Sequence, residues 1–198
     1  MNFINKQAPN FIAEAVQNDD FKTINLENLR GQYVLLFFYP MDFTFVCPTE
    51  IIELNNKLNE FKKLNTIVLT CSTDSKYSHL EWLKIPQNKG GLGGINLLML
   101  DDKSHDIAEK YNVLVDSGED KGAAYRALFI INKEGLVKHL SINDLPVSRN
   151  VEEILRLIEA FQFNEEHGTA CPMKWKETKQ GIETDPVKSK KYFEENYK

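Results

Sequence analysis

The run Tyr33 to Tyr39 (YVLLFFY) is continuously apolar or aromatic and predicts a buried core strand. From Pro48 onward, Ile51, Leu54, Leu58 and Phe61 recur at helical spacing, so a helix is expected to follow it. A second buried strand is predicted over 66–72, then a short helical pattern around 77–83 that Pro86 ends. Residues 96–100 suggest a brief strand, and Ser104 is placed to cap a helix through Tyr111. The segment 126–132 reads as a strand, Lys133-Glu134-Gly135 as a turn and 136–142 as its hairpin partner. Val151, Ile154, Leu155, Ile158 and Phe161 mark one face of a final core helix. Strands and helices alternate, which predicts an α/β protein with a mixed sheet. Periodicity alone leaves several doubly wound topologies open.

From Asn164 the chain turns polar, with Cys171, Trp175, Ile182, Tyr192 and Phe193 as its anchors. We therefore expect a domain over residues 1–163 and a C-terminal arm over 164–198. The 198 residues suffice for one sizeable core. A net charge of −5 and the lack of a basic run argue against nucleic acid as a partner. No window approaches the ~18 apolar residues of a membrane span. The N-terminal residues resemble neither a secretory signal nor an Arg-rich leader, the first arginine being Arg30, so a cytoplasmic address is expected.

Cysteine is where chemistry enters. Three cysteines without close pairing do not form a secreted disulfide framework, and a reducing compartment suits a thiol used in reactions. Cys71 lies within the apolar run Ile67-Val68-Leu69-Thr70-Cys71 and reads as a core residue. Cys47 differs: it stands where strand gives way to helix, with Pro48 preset for the first turn. Unsatisfied N–H groups and the positive end of the helix dipole there favour thiolate over thiol. No Cys-x-x-Cys accompanies it, as a general thiol–disulfide oxidoreductase would show, and His79, His105, His139 and His167 are too scattered for a metal cluster. Gly90-Gly91-Leu92-Gly93-Gly94 lacks the Lys-Ser or Lys-Thr of a phosphate loop.

The stretch Phe37 to Glu50 (FFYPMDFTFVCPTE) contains Pro-x-x-x-Thr-x-x-Cys as Pro40, Thr44 and Cys47, and it strongly resembles the peroxiredoxins. His167 to Trp175 (HGTACPMKW) resembles the second cysteine motif of the typical 2-Cys branch, so the likeness runs from about Ala8 to Phe193. Where that branch usually has Cys-Pro-Ala-Gly-Trp, this chain has Cys171-Pro172-Met173-Lys174-Trp175.

The resemblance selects a thioredoxin-like fold with a mixed central sheet, flanking helices and an extended C-terminal arm. It implies that Cys47 attacks a hydroperoxide and becomes a sulfenic acid, with no metal, haem or other cofactor. By the same likeness Thr44 contacts sulfur and substrate, Arg126 supports the thiolate and the leaving oxygen, Pro40 shields the pocket, and Glu50 and Arg149 buttress it. Cys171 is implied to resolve the sulfenic acid as a disulfide across a homodimer, which thioredoxin then reduces; rings of five dimers are implied as well. Gly90-Gly91-Leu92-Gly93 with Tyr192-Phe193 resembles the signature of members whose C-terminal segment slows disulfide formation, which implies inactivation by excess peroxide. Oligomeric members can also act as holdase chaperones, a role that can coexist with catalysis.

Overall fold

The structure, a computed structural model, describes residues 2–197. These group into two compact units, one reaching to Arg149 and one beginning at Asn150.

The first unit is built on one mixed sheet. Its strands are β1 (Ile12–Gln17), β2 (Asp20–Asn25), β3 (Tyr33–Phe38), β4 (Thr66–Ser72), β5 (Leu98–Asp101), β6 (Arg126–Ile131) and β7 (Val137–Asn143), in the order β2-β1-β5-β4-β3-β6-β7. Strands β3, β4 and β5 are parallel, and the remaining pairs are antiparallel. The expected mixed sheet of a thioredoxin-like fold is what forms. Every residue of β3 is buried because the strand lies between β4 and β6, which explains its unbroken apolar run. Phe3, Phe38, Tyr111 and Phe129 form an aromatic knot in the core, with Tyr111 and Phe129 edge to face at 4.8 Å.

Several local expectations are corrected. The β1–β2 hairpin was not foreseen, because its exposed outer strand dilutes the alternation. Its signal was the two-residue loop Asn18-Asp19, both at positive φ (49° and 64°), the backbone that a primed hairpin turn requires. The helix expected to run unbroken through Phe61 is divided at Lys57 (φ −94°, ψ 8°) into α1 (Cys47–Asn56) and α2 (Leu58–Lys63). Helix α3 (Lys76–Lys84) forms as the pattern suggests, capped by Ser75. Ser104 does not cap α4 (Asp106–Lys110). The buried Asp102 carboxylate accepts from the N–H groups of Ile107 and Ala108 at 2.9 and 2.8 Å instead.

In the second unit α5 (Val151–His167) buries Val151, Ile154, Leu155 and Ile158 and starts at an Asn150 cap. Its helix runs past the polar switch at Asn164, because Gly168 at φ +69° is the first residue able to reverse the chain without strain. Beyond it, Ala170 and Ile182 form an isolated bridge, Trp175 is buried, and a short helix unforeseen in the sequence, α6 (Ser189–Asn196), follows.

Candidate active site

Strand β3 ends at Phe38, the buried residues Tyr39 and Pro40 follow it, and the chain then turns over Met41-Asp42-Phe43-Thr44 to reach α1. Phe43 is held at φ 56°, a conformation that a bulky residue rarely adopts, and its ring lies 5.8 Å from that of Trp82. This turn sets the first residue of α1, Cys47, against the sheet with only 1% of its surface exposed. Pro48 occupies the helix start, where its missing N–H costs nothing.

Arg126, the first residue of β6, comes to the same point from the other side of β3. Its Nη1 donates to Cys47 Sγ at 3.5 Å and to Glu50 Oε2 at 2.9 Å, and its Nε donates to the Leu145 carbonyl. Glu50 lies in the first turn of α1 and also binds Arg149: Nη2 to Oε2 at 2.8 Å, Nε to Oε1 at 3.0 Å and the backbone N–H to Oε1 at 2.9 Å. Arg149 Nη1 in turn donates to the carbonyls of Phe38 and Ala127 at 2.7 and 2.6 Å, and its guanidinium covers the Phe37 ring at 3.3 Å. Burial pulls the Arg149 guanidinium below its usual value, while the hydrogen bonds and charge of Glu50 work against that loss.

Charge balance explains what this arrangement can do. Two buried guanidinium groups face one carboxylate, so a neutral Cys47 thiol leaves a surplus positive charge in a low-dielectric pocket. A thiolate removes the surplus. The cluster thus stabilises an anion at sulfur and keeps a donor beside it for an oxygen that develops charge.

The residues singled out in the sequence fall into three groups. Cys47, Glu50, Arg126 and Arg149 are joined in one hydrogen-bonded cluster. Pro40 and Thr44 belong to the turn before Cys47. Pro40 is buried, and the half-buried Thr44 donates its hydroxyl to the Met41 carbonyl at 2.9 Å rather than to sulfur. In the second unit, the half-buried Cys171 directs its thiol to the Ala160 carbonyl at 3.4 Å. Burial raises its pKa, and Arg156 opposes the rise. Cys71 is wholly buried in the core of the first unit, and burial together with Asp102 and Asp101 raises its pKa well above the ordinary thiol value.

Sequence reasoning missed one polar network beneath the active-site turn. Asp42 accepts from the Tyr39 and Ser78 hydroxyls, both at 2.8 Å, and lies 2.8 Å from His79 Nδ1. His79 Nε2 lies 3.1 Å from the Leu100 carbonyl. Both ring nitrogens therefore face acceptors, a setting that favours the protonated ring. Burial lowers the His79 pKa, but the Asp42 hydrogen bond and charge, the Leu100 carbonyl and Asp74 outweigh it and the net shift is upward. The available signal was the position of His79 three residues before Trp82, on the inward face of α3.

The chain is similar to known proteins over nearly all of its length. The AhpC/TSA family matches residues 4–140, and the C-terminal domain of 1-Cys peroxiredoxin matches residues 160–195. Peroxiredoxin-1 of Gallus gallus is 50% identical over 96% of this chain and 95% of its own length. The mitochondrial thioredoxin-dependent peroxide reductase of Rattus norvegicus is 49% identical over 96% of this chain and 73% of its own. The reduced 2-Cys peroxiredoxin of Plasmodium vivax superposes with a TM-score of 0.93 at 42% identity, covering 98% of this chain and all of that one.

Proposed function

From a chain that belongs to the peroxiredoxins of the AhpC/TSA family, we infer that Cys47 is the peroxidatic thiolate and Cys171 the thiol that resolves it. The protein is a thiol peroxidase. The observation that carries the assignment of Cys47 is its contact with Arg126 inside a buried cluster that is neutral only when the sulfur is ionised.

In the first step Cys47 Sγ attacks one oxygen of a hydroperoxide along the O–O bond. An S–O bond forms, the O–O bond breaks, and the second oxygen leaves as water or an alcohol after taking a proton. Arg126 Nη1, already beside the sulfur, donates to the oxygens as charge spreads over them. Glu50 and Arg149 fix the guanidinium in place. Pro40 shields the pocket, and the Thr44 hydroxyl, from the turn just before Cys47, serves substrate orientation.

In the second step the Cys171 thiol condenses with the sulfenic acid, releasing water and leaving a disulfide. Sulfurs must come to about 2.05 Å for that bond. Cys47 is almost fully buried, so the first turn of α1 has to open before they meet. In our reading Cys171 comes from the arm of a second copy. Strand β7 forms an edge of the sheet with Ile142 exposed, a surface suited to pairing with a second copy in a homodimer. Met41, Phe43 and Phe45 are exposed around the active-site turn, which supports assembly of dimers into a decamer. Thioredoxin is the proposed reductant, and the cytoplasm, a reducing compartment, the proposed address.

One equivalent of hydrogen peroxide added to pre-reduced wild type, Cys47→Ser and Cys171→Ser proteins tests the cycle. A Cys47–Cys171 cross-linked dimer on a non-reducing gel, confirmed by peptide mass spectrometry and confined to wild type, is expected. Pairing of Cys47 with Cys71, or no disulfide, overturns the assignment of Cys171.

A further inference from the structure

We propose that Asn143, the last residue of β7, is a positioning residue for the attack on peroxide: its amide folds the loop 144–149 so that Arg126 is aimed at the Cys47 sulfur. The inference rests on Cys47 being the peroxidatic thiolate and Arg126 its donor, and it names the residue that holds that donor in place.

Arg126 and Asn143 stand opposite each other in the antiparallel β6–β7 ladder, one at the start of its strand and the other at the end. Residues so paired project from the same face of a sheet. Beyond Asn143 the chain turns over Asp144-Leu145-Pro146-Val147, closed by the Val147 N–H on the Asp144 carbonyl at 3.3 Å. The Leu145 carbonyl takes no part in that closing bond, so the turn alone leaves its direction open. The half-buried Asn143 removes this freedom. Its Nδ2 donates to the carbonyls of Val147 and Ser148 at 3.2 and 3.3 Å and draws the far end of the loop back onto the strand. Asp144 Oδ1 holds the Leu145 N–H at 2.8 Å, and the ring of Pro146 fixes its own φ.

Two members of the buried cluster depend on this loop. The Leu145 carbonyl accepts from Arg126 Nε, and Arg149, where the loop ends, gives its backbone N–H to Glu50 Oε1 at 2.9 Å. One side-chain amide outside the cluster therefore shapes the backbone that orients both the donor and its carboxylate partner.

The aim of Arg126 is sensitive to that backbone. A guanidinium is a flat, rigid fork, so two anchored nitrogens define its plane. In Arg126 these are Nε, held by the Leu145 carbonyl, and Nη1, held by Glu50 at 2.9 Å with the Cys47 sulfur at 3.5 Å. Glu50 alone would keep the cation in the pocket while the plane turned about the Nη1 contact. The longer contact, to sulfur, is then lost first. Such a change is costly, since a misplacement of about 1 Å can lower a rate by about 10². Asn143 thus acts on the reaction through Arg126 alone.

The test uses the full-length, pre-reduced protein and follows Cys47 oxidation by hydrogen peroxide in a stopped-flow double-mutant cycle. Asn143→Leu, similar in shape and without the amide, should lower the second-order rate about tenfold. Arg126→Met should lower it by about 10²–10³, and adding Asn143→Leu to it should change the rate by no more than about twofold. Asn143→Gln, which restores an amide donor, should return to within about threefold of wild type. Should Asn143→Leu not fold, Asn143→Asp, equal in size and without a donor, takes its place in the cycle. A loss under about threefold in the single variant, losses that multiply in the double variant, or equal losses in the Leu and Gln variants overturns the role of Asn143. If Arg126→Met itself loses less than about tenfold, the reading of Arg126 fails instead and takes the role of Asn143 with it.

Discussion

Arg126 Nη1 stands 3.5 Å from the Cys47 sulfur and 2.9 Å from Glu50 Oε2, so one cationic nitrogen bridges the thiol and a buried carboxylate. The contact joins the first residue of β6 to the first residue of α1, positions 79 residues apart in the chain.

Removing that nitrogen should cost rate more than stability of the bound substrate. Arg126→Met is expected to lower the second-order rate of Cys47 oxidation by about 10²–10³, the loss typical of a donor aimed at developing charge. Stopped-flow measurement with hydrogen peroxide checks it; a loss under about tenfold denies Arg126 a catalytic part.

Glu50 matters in the opposite way, since it holds two cations rather than touching the peroxide. Glu50→Gln leaves Arg126 and Arg149 buried without their carboxylate partner and should destabilise the fold by about 3 kcal/mol. Urea unfolding of the reduced protein gives the number. An unchanged midpoint means that the cluster relaxes and the carboxylate is dispensable.

His79 predicts a pH dependence of stability. Its folded pKa is raised above the unfolded value of about 6.5. Its stabilisation is therefore fully present below about pH 6.5 and is lost as pH rises through the folded value. His79→Gln should remove this fall, and unfolding curves of both proteins on either side of neutrality compare them. Parallel pH profiles mean that the imidazole stays neutral beside Asp42.

Truncation before Tyr192 should make turnover more resistant to excess peroxide. The aromatic cluster of Tyr192 and Phe193 on α6 with Tyr197 just after it is removed, and the sulfenic acid at Cys47 is expected to find Cys171 sooner than a second peroxide. Mass spectrometry of sulfinic Cys47 after a peroxide series reads it directly. Equal inactivation of both forms sinks the idea.

Much of the site's chemistry was legible in the chain. Cys47 announced itself because strand-to-helix transitions leave a local mark: an apolar run, a proline and a helical period meet within a few residues. Cys71 was equally plain, since a cysteine in the middle of a buried run has neither access nor donors. The role proposed for Arg126 came only through the motif, as an arginine heading an apolar strand looks like any surface charge until β6 is laid antiparallel to β3.

Other features had no local signal. The Asp42–His79 pair joins a turn to a helix, and neither residue's type or spacing foretells that both are buried. The Asp102 cap on α4 won over Ser104 because folding placed its carboxylate in reach of two N–H groups. The break at Lys57 lies inside an otherwise regular helical period. Sequence by itself determined the central strands and helices from β3 to α5, the cysteine that heads a helix and the family, because backbone preference and hydrophobic period act over a few residues. Tertiary structure decided which charges surround the sulfur, because electrostatic partners are chosen by distance in space, and sheet pairing brings together residues far apart along the chain.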